Sequence, residues 1–294
     1  MNCNTDLKGI FPALLTPFDD NNKINEKALE KLIEMNIAKG VSGFYVGGST
    51  AEVFLLTDDE RRSLYRLTAD IVDGRCALIA HIGGISTEKA VGFAEEVCRL
   101  GAYSAISSIT PFYYKFSFSE IKKYYFDIAD ASDLPMIIYN FPNFSGVALS
   151  KDNVSEFFED DRFIGLKHTS NDYYTMEQIK TKYPNKLVYN GFDEMFMAGL
   201  SMGADGGIGS TYNFMSEKFL DMRKLFGEGR IKEAQDIQKK VNIIVAELCK
   251  VGVMQGEKAI LNHMGLNFGK CRPPFSELTA AQYDSLVSAV EPLL

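Results

Sequence analysis

Residues 163–170 read Phe-Ile-Gly-Leu-Lys-His-Thr-Ser. A short, mostly apolar run of this length reads as a buried strand, being too short for a helix. The same texture recurs along the chain. Runs begin near Gly9 (GIFPALLTPF), Gly43 (GFYVGG), Cys76 (CALIAHIGG), Tyr103 (YSAISSITP), Pro135 (PMIIYNFP), Lys186 (KLVYNGFD) and Gly206 (GGIGSTYN). Successive starts lie 20 to 34 residues apart, close to the roughly 30 residues of a β-α unit. The stretches between them carry helical periodicity. Leu29, Leu32, Ile33 and Ile37 share one face of 25–39, and Ala90, Ala94, Val97 and Cys98 share one face of 86–100. Thr57-x-x-Glu60 and Ser117-x-x-Glu120 fit capping boxes at helix starts. Eight strands alternating with helices predict an α/β fold, a closed parallel (β/α)8 TIM barrel; an open doubly wound sheet is nearer six strands.

Past Tyr212 the strand pattern stops. Residues 214–226, 229–250, 255–264 and 279–291 read as helices, the first closing the barrel. The expected organisation is a barrel over 1–226 and a helical C-terminal subdomain over 227–294.

Composition narrows the function. The net charge is −8, whereas a nucleic-acid site wants a basic face. The longest apolar runs are too short to span a membrane. The first eight residues lack the apolar core of a secretory leader. Five cysteines (Cys3, Cys76, Cys98, Cys249, Cys271) form no CxxC pair and read as free thiols in a reducing cytoplasm. Three scattered histidines (His81, His168, His263) give no zinc-binding spacing, so no metal is expected.

Active sites of such barrels lie at the C-terminal ends of the strands. The residues there are rich in hydroxyls, amides and glycines, and include one lysine inside a strand, Lys167. A lysine in an apolar strand loses hydration, which favours the neutral amine, and a neutral amine can attack a ketone to form a Schiff base. The plainer alternative is a lysine that snorkels or pairs with a rim carboxylate. Tyr139 ends the preceding strand, where its phenol could shuttle protons or simply cap the strand. Gly47-Gly48-Ser49-Thr50 suits a carboxylate or phosphate as well as a plain turn. Gly206–Ser210 could hold a phosphate, though no Lys or Arg lies beside it. Asp193 and Glu194 either accept hydrogen bonds from sugar hydroxyls or cap the helix that follows.

GGSTAE, TPFYY, YNFP, GLKHTS and YNGFDE, in this order and one per strand, resemble the pyruvate-dependent class I aldolases, the family of N-acetylneuraminate lyases and dihydrodipicolinate synthases. The resemblance spans nearly the whole chain. It implies Lys167 as the Schiff-base lysine, Tyr139 as the proton shuttle, and Ser49 and Thr50 as the grip on the pyruvate carboxylate. Tyr113 matches a tyrosine lent to a neighbouring subunit's proton relay through Thr50, which implies a homotetramer. No cofactor or metal is implied, the iminium being the electron sink. Synthases carry an arginine shortly after the YN motif; Phe144 stands there, and Ser49 fits the lyases. By the same analogy Thr169, Gly191, Asp193, Glu194 and Ser210 contact the hydroxyls of a small 2-keto sugar acid. Ala51 stands where the family has glycine, and is strained if that position needs φ > 0. The competing expectations are an aldolase for another keto acid of the 2-keto-3-deoxygluconate type, a dihydrodipicolinate synthase, a non-catalytic keto-acid sensor, and a phosphate-binding isomerase.

Overall fold

The computed structural model describes residues 6–294, so Cys3 and most of the stretch read for a leader lie outside the described residues. Eight strands form one parallel sheet: β1 (Gly9–Pro12), β2 (Gly43–Val46), β3 (Ala77–His81), β4 (Ala105–Ile109), β5 (Met136–Asn140), β6 (Phe163–His168), β7 (Leu187–Asn190) and β8 (Gly206–Gly209). Each begins within two residues of the expected place. The sheet order runs from β1 through β8 down to β2. The ends meet where Ser42 N–H donates to Ile10 O (3.0 Å) and Leu14 N–H donates to Tyr45 O (2.9 Å), so β1 and β2 close the barrel. The expected (β/α)8 architecture is the observed one.

Alternation along each strand separates two cores. Phe11, Tyr45, Ala77, Ile79, Ala105, Ile137, Tyr189 and Ile208 pack together inside the barrel. Their neighbours, among them Ile10, Phe44, Leu78, Ile138, Leu166 and Val188, face the surrounding helices. Glycine at 206 is a packing requirement, since a Cβ there would lie 1.8 Å from Gly9 O; the unadorned reading of that glycine run holds at this position. Both expected capping boxes are present, at Thr57/Glu60 and Ser117/Glu120.

Beyond the barrel the chain forms helices Tyr212–Gly227, Ile231–Val251, Val253–His263 and Ala280–Val290. They fold back over the strands' C-terminal end. Gln238 Nε2 donates to Asp193 O (3.1 Å) and Gln238 Oε1 accepts from Met197 N–H (2.9 Å). Arg272 donates to Asn22 O (2.7 Å) and Leu55 O (3.1 Å) and pairs with Glu60. Helix Val253–His263 buries six consecutive residues, Gly256 to Leu261, including Glu257 and Lys258.

Candidate active site

Side-chain parity places the reactive groups. Ile137 lies in the inner core, so Tyr139, two residues on, also points inward. Tyr139 is in register with Lys167, and Lys167 with Tyr189. The lysine therefore emerges at the mouth between two tyrosines. Its Nζ lies 4.1 Å from the centre of the Tyr139 ring and 4.5 Å from that of Tyr45. Lys167 is 5 % exposed, and no carboxylate is within ion-pair distance of it among the described residues. Burial pushes its pKa down to about 7, with the more distant Asp193 carboxylate pulling the other way. The snorkelling alternative does not fit this placement, because the side chain is buried and not directed to the surface.

The Tyr139 phenol is buried, which raises its pKa, while the nearby hydroxyls of Thr169 and Ser49 act against that shift. Thr169 Oγ1 is itself buried without a hydrogen-bond partner. Phe141 stacks on Tyr139 (centroids 5.7 Å), and Phe144 and Phe192 pack against Phe141. Phe144 is 66 % exposed, so an apolar ring stands on this flank of the mouth at the position where the sequence comparison looked for an arginine.

The loop after β2 is held from below and behind. Gly47 adopts φ +74 and its carbonyl accepts from His81 Nδ1 (2.9 Å). His81 Nε2 accepts from Ile109 N–H (3.2 Å), which fixes a neutral tautomer, and burial lowers the ring's pKa well below its ordinary value. Thr16 Oγ1 donates to Ala51 O (2.8 Å). Ser49–Ala51 make one 3-10 turn whose first amides have no acceptor within it. Ala51 sits in this right-handed turn, so the strain foreseen there is absent. The left-handed residue is the next one, Glu52, at φ +55. Its carboxylate is buried and paired with Lys258 Nζ at 2.6 Å, and its Oε2 accepts from Arg272 N–H (2.7 Å). Arg61, on the helix Asp58–Val72, donates to Tyr65 Oη (2.7 Å), His81 O (2.8 Å) and Gly83 O (3.1 Å), tying that helix to the end of β3.

On the far side, Asp193 opens a short turn without capping it. Its Oδ2 instead accepts from Thr211 N–H (2.8 Å) and Thr211 Oγ1 (2.7 Å), while Oδ1 is buried and partnerless. Burial first, and then Glu194, raise its pKa to about 6 against those two hydrogen bonds. Asp193 thereby occupies the amide of Thr211, directly after the Gly206–Ser210 run. Gly191 makes room for Thr169: a Cβ there would lie 1.9 Å from Thr169 Oγ1. Glu194 and Ser210 are half-buried at the rim. Tyr113 stands apart. It is 83 % exposed at φ +80 and packs on Tyr114 (5.0 Å). Sequence reasoning did not single out His81, Arg61 or Lys258, which bond to Gly47, to the end of β3 and to Glu52.

Residues 6–293 match the model of the dihydrodipicolinate synthetase family. The chain belongs to that family. Within it, the chain is 43 % identical over 289 residues to N-acetylneuraminate lyase of Rhizobium meliloti, covering 98 % of this chain and 96 % of the relative. The fold superposes with a TM-score of 0.96 on CdNal from Clostridium difficile in complex with mannosamine, at 39 % identity, covering 99 % of this chain and 100 % of the other. Dihydrodipicolinate synthase DapA-2 from Bacillus anthracis gives a TM-score of 0.93 at 28 % identity, covering 97 % of this chain and 96 % of the other. Synthetase-family members of both kinds share the backbone, so the mouth residues must separate them.

Proposed function

We propose that this family member is a Schiff-base lyase that cleaves N-acetylneuraminate to pyruvate and N-acetylmannosamine. The observation that carries the reading is a desolvated Lys167 amine stacked between two tyrosines, one of them Tyr139. The relatives named N-acetylneuraminate lyase support the substrate, as does the apolar flank at Phe144 where a synthase needs a cation.

Lys167 Nζ adds to the C2 ketone of the open-chain sugar acid, and loss of water leaves a protonated imine. The first-turn amides and the hydroxyls of Ser49 and Thr50 hold the C1 carboxylate. Tyr139 takes the C4 hydroxyl proton, directly or through that carboxylate. The C3–C4 bond breaks, its electrons move into the imine as an enamine, and the aldehyde product departs. Protonation at C3 and hydrolysis free pyruvate and the amine. The iminium is the electron sink, so the chemistry calls for no cofactor. Thr169, Gly191, Asp193, Glu194 and Ser210 line the side facing the sugar hydroxyls. The exposed Tyr113 at φ +80 supports its loan to a neighbouring subunit's relay through Thr50, within a homotetramer. The four cysteines among the described residues are free thiols, one of them exposed, which suits a reducing cytoplasm.

The test is pyruvate release from N-acetylneuraminate beside 2-keto-3-deoxygluconate, with condensation of pyruvate and aspartate semialdehyde as the third arm. Turnover of the first well above the others is expected. Turnover of only the second or third replaces the substrate assignment.

A further inference from the structure

Arg61 carries a buried positive charge that no carboxylate answers. It is buried, and the acceptors it reaches are all neutral: Tyr65 Oη, His81 O and Gly83 O. The Phe93 ring packs on the guanidinium, its centre 4.2 Å from the central carbon. Among the described residues no carboxylate is within ion-pair distance of it. The acids nearest it in the chain are engaged elsewhere: Glu52 with Lys258, Asp58 with Lys89, Asp59 with Arg62 and Glu60 with Arg272. A buried ion without an opposite charge is costly, and neutral acceptors offset only part of that cost.

This charge sits directly behind the loop that follows β2. A Cβ on Gly47 would lie 3.3 Å from both Tyr65 Oη and His81 O, two of the oxygens to which Arg61 donates. Tyr65 Oη itself donates to His81 O (2.6 Å), which fixes the cation in place. Ser49 and Thr50 follow two and three residues after Gly47.

We propose that Arg61 is a positioning residue for the substrate's carboxylate, supplying from behind the loop the positive charge that Ser49 and Thr50 lack. This rests on the reading of Ser49 and Thr50 as the carboxylate grip. Inside the protein a charge is poorly screened and acts across several ångströms, so the guanidinium serves the carboxylate without touching it. Its consequence is selectivity for anionic over neutral ketones.

The test is the half-saturating concentration for borohydride trapping at Lys167, measured with pyruvate and with its neutral isostere pyruvamide, in the wild type, Arg61→Gln and Arg61→Lys. Opposite charges roughly 10 Å apart at an effective dielectric of about 20 predict an approximately tenfold rise for pyruvate in Arg61→Gln. The value for pyruvamide stays within about twofold, because a neutral ligand gains nothing from the charge. Arg61→Lys keeps the charge and holds the pyruvate-to-pyruvamide ratio near that of the wild type. Equal changes on both ligands show a purely structural role and overturn the proposal. No change on either, or a Lys variant whose ratio shifts as far as that of Gln, overturns it too. Should Arg61→Gln not fold, Arg61→Lys must preserve the wild-type ratio, and a ratio shifted towards pyruvamide overturns the proposal. A wild-type protein that neither ligand labels at Lys167 removes the Schiff-base reading itself before any variant is made.

Discussion

Replacing Lys258 with methionine tests how the C-terminal helices support the mouth. Lys258 and Glu52 are at most 1 % exposed at their side chains and lie 2.6 Å apart. Methionine keeps most of the volume but strands a buried carboxylate. Breaking one side of such a pair costs about 3–5 kcal/mol. Glu52 Oε2 keeps its hydrogen bond from Arg272 N–H, and a hydrogen bond to a charged group is worth roughly 1.5–3 kcal/mol, so the lower end applies, about 3 kcal/mol. The variant also loses the bond from Lys258 Nζ to Lys270 O. For a chain of 294 residues, with an unfolding entropy of roughly 2.1 cal/mol/K per residue, that is a fall of roughly 5 °C in Tm. Because Glu52 follows the Ser49–Ala51 turn directly, KM should rise as well. Calorimetry at a fixed scan rate reads the stability. Glu52→Leu combined with Lys258→Met removes both charges and should recover most of the loss, since an apolar replacement of a buried pair is often neutral. A single variant within about 1 °C of wild type, or a double variant as unstable as the single, refutes the view that this pair anchors the carboxylate loop.

Further outcomes follow from the same geometry. Tyr139→Phe should cut kcat about 100-fold or more, as expected for loss of a general acid–base, while borohydride trapping of pyruvate persists; unaltered kcat excludes the phenol from proton transfer. The neutral amine of Lys167 is the nucleophile, so kcat/KM should rise with pH through about 7 and fall roughly tenfold per unit well below it; a flat profile from pH 5.5 to 8 contradicts a depressed lysine. The folded-state pKa of Glu257, near 8, lies above the ordinary glutamate value. Its contribution to stability is therefore fully present below about pH 4.5 and is lost as pH rises through about 8. The Tm of Glu257→Gln should accordingly decline less between pH 5 and 8 than that of wild type, and parallel declines would exclude this titration.

Much of the barrel was legible because each strand is a compact apolar run bounded by turn residues, and parity then aims alternate side chains inward. Lys167 stood out because it interrupts such a run. What remained hidden was carried by long-range contacts. Glu257-Lys258 resembles an ordinary solvated pair, and only burial of the helix on every side shows otherwise. Adjacent Asp193 and Glu194 look equivalent, yet Thr211 claims one oxygen of Asp193 and Glu194 stays at the rim. Position 51 drew attention as a missing glycine, while the left-handed backbone lies one residue on, at Glu52, where a buried ion pair accompanies it. Arg272 and Glu60, 212 residues apart, offer no local signal at all.

The most direct measurement is mass spectrometry of the protein after incubation with pyruvate and borohydride. A single reduced pyruvyl adduct per chain, mapping to the peptide that contains Lys167 and absent from Lys167→Ala, is the expected result. An unmodified Lys167, or an adduct on another lysine, would show that the amine buried between Tyr45 and Tyr139 is not the nucleophile.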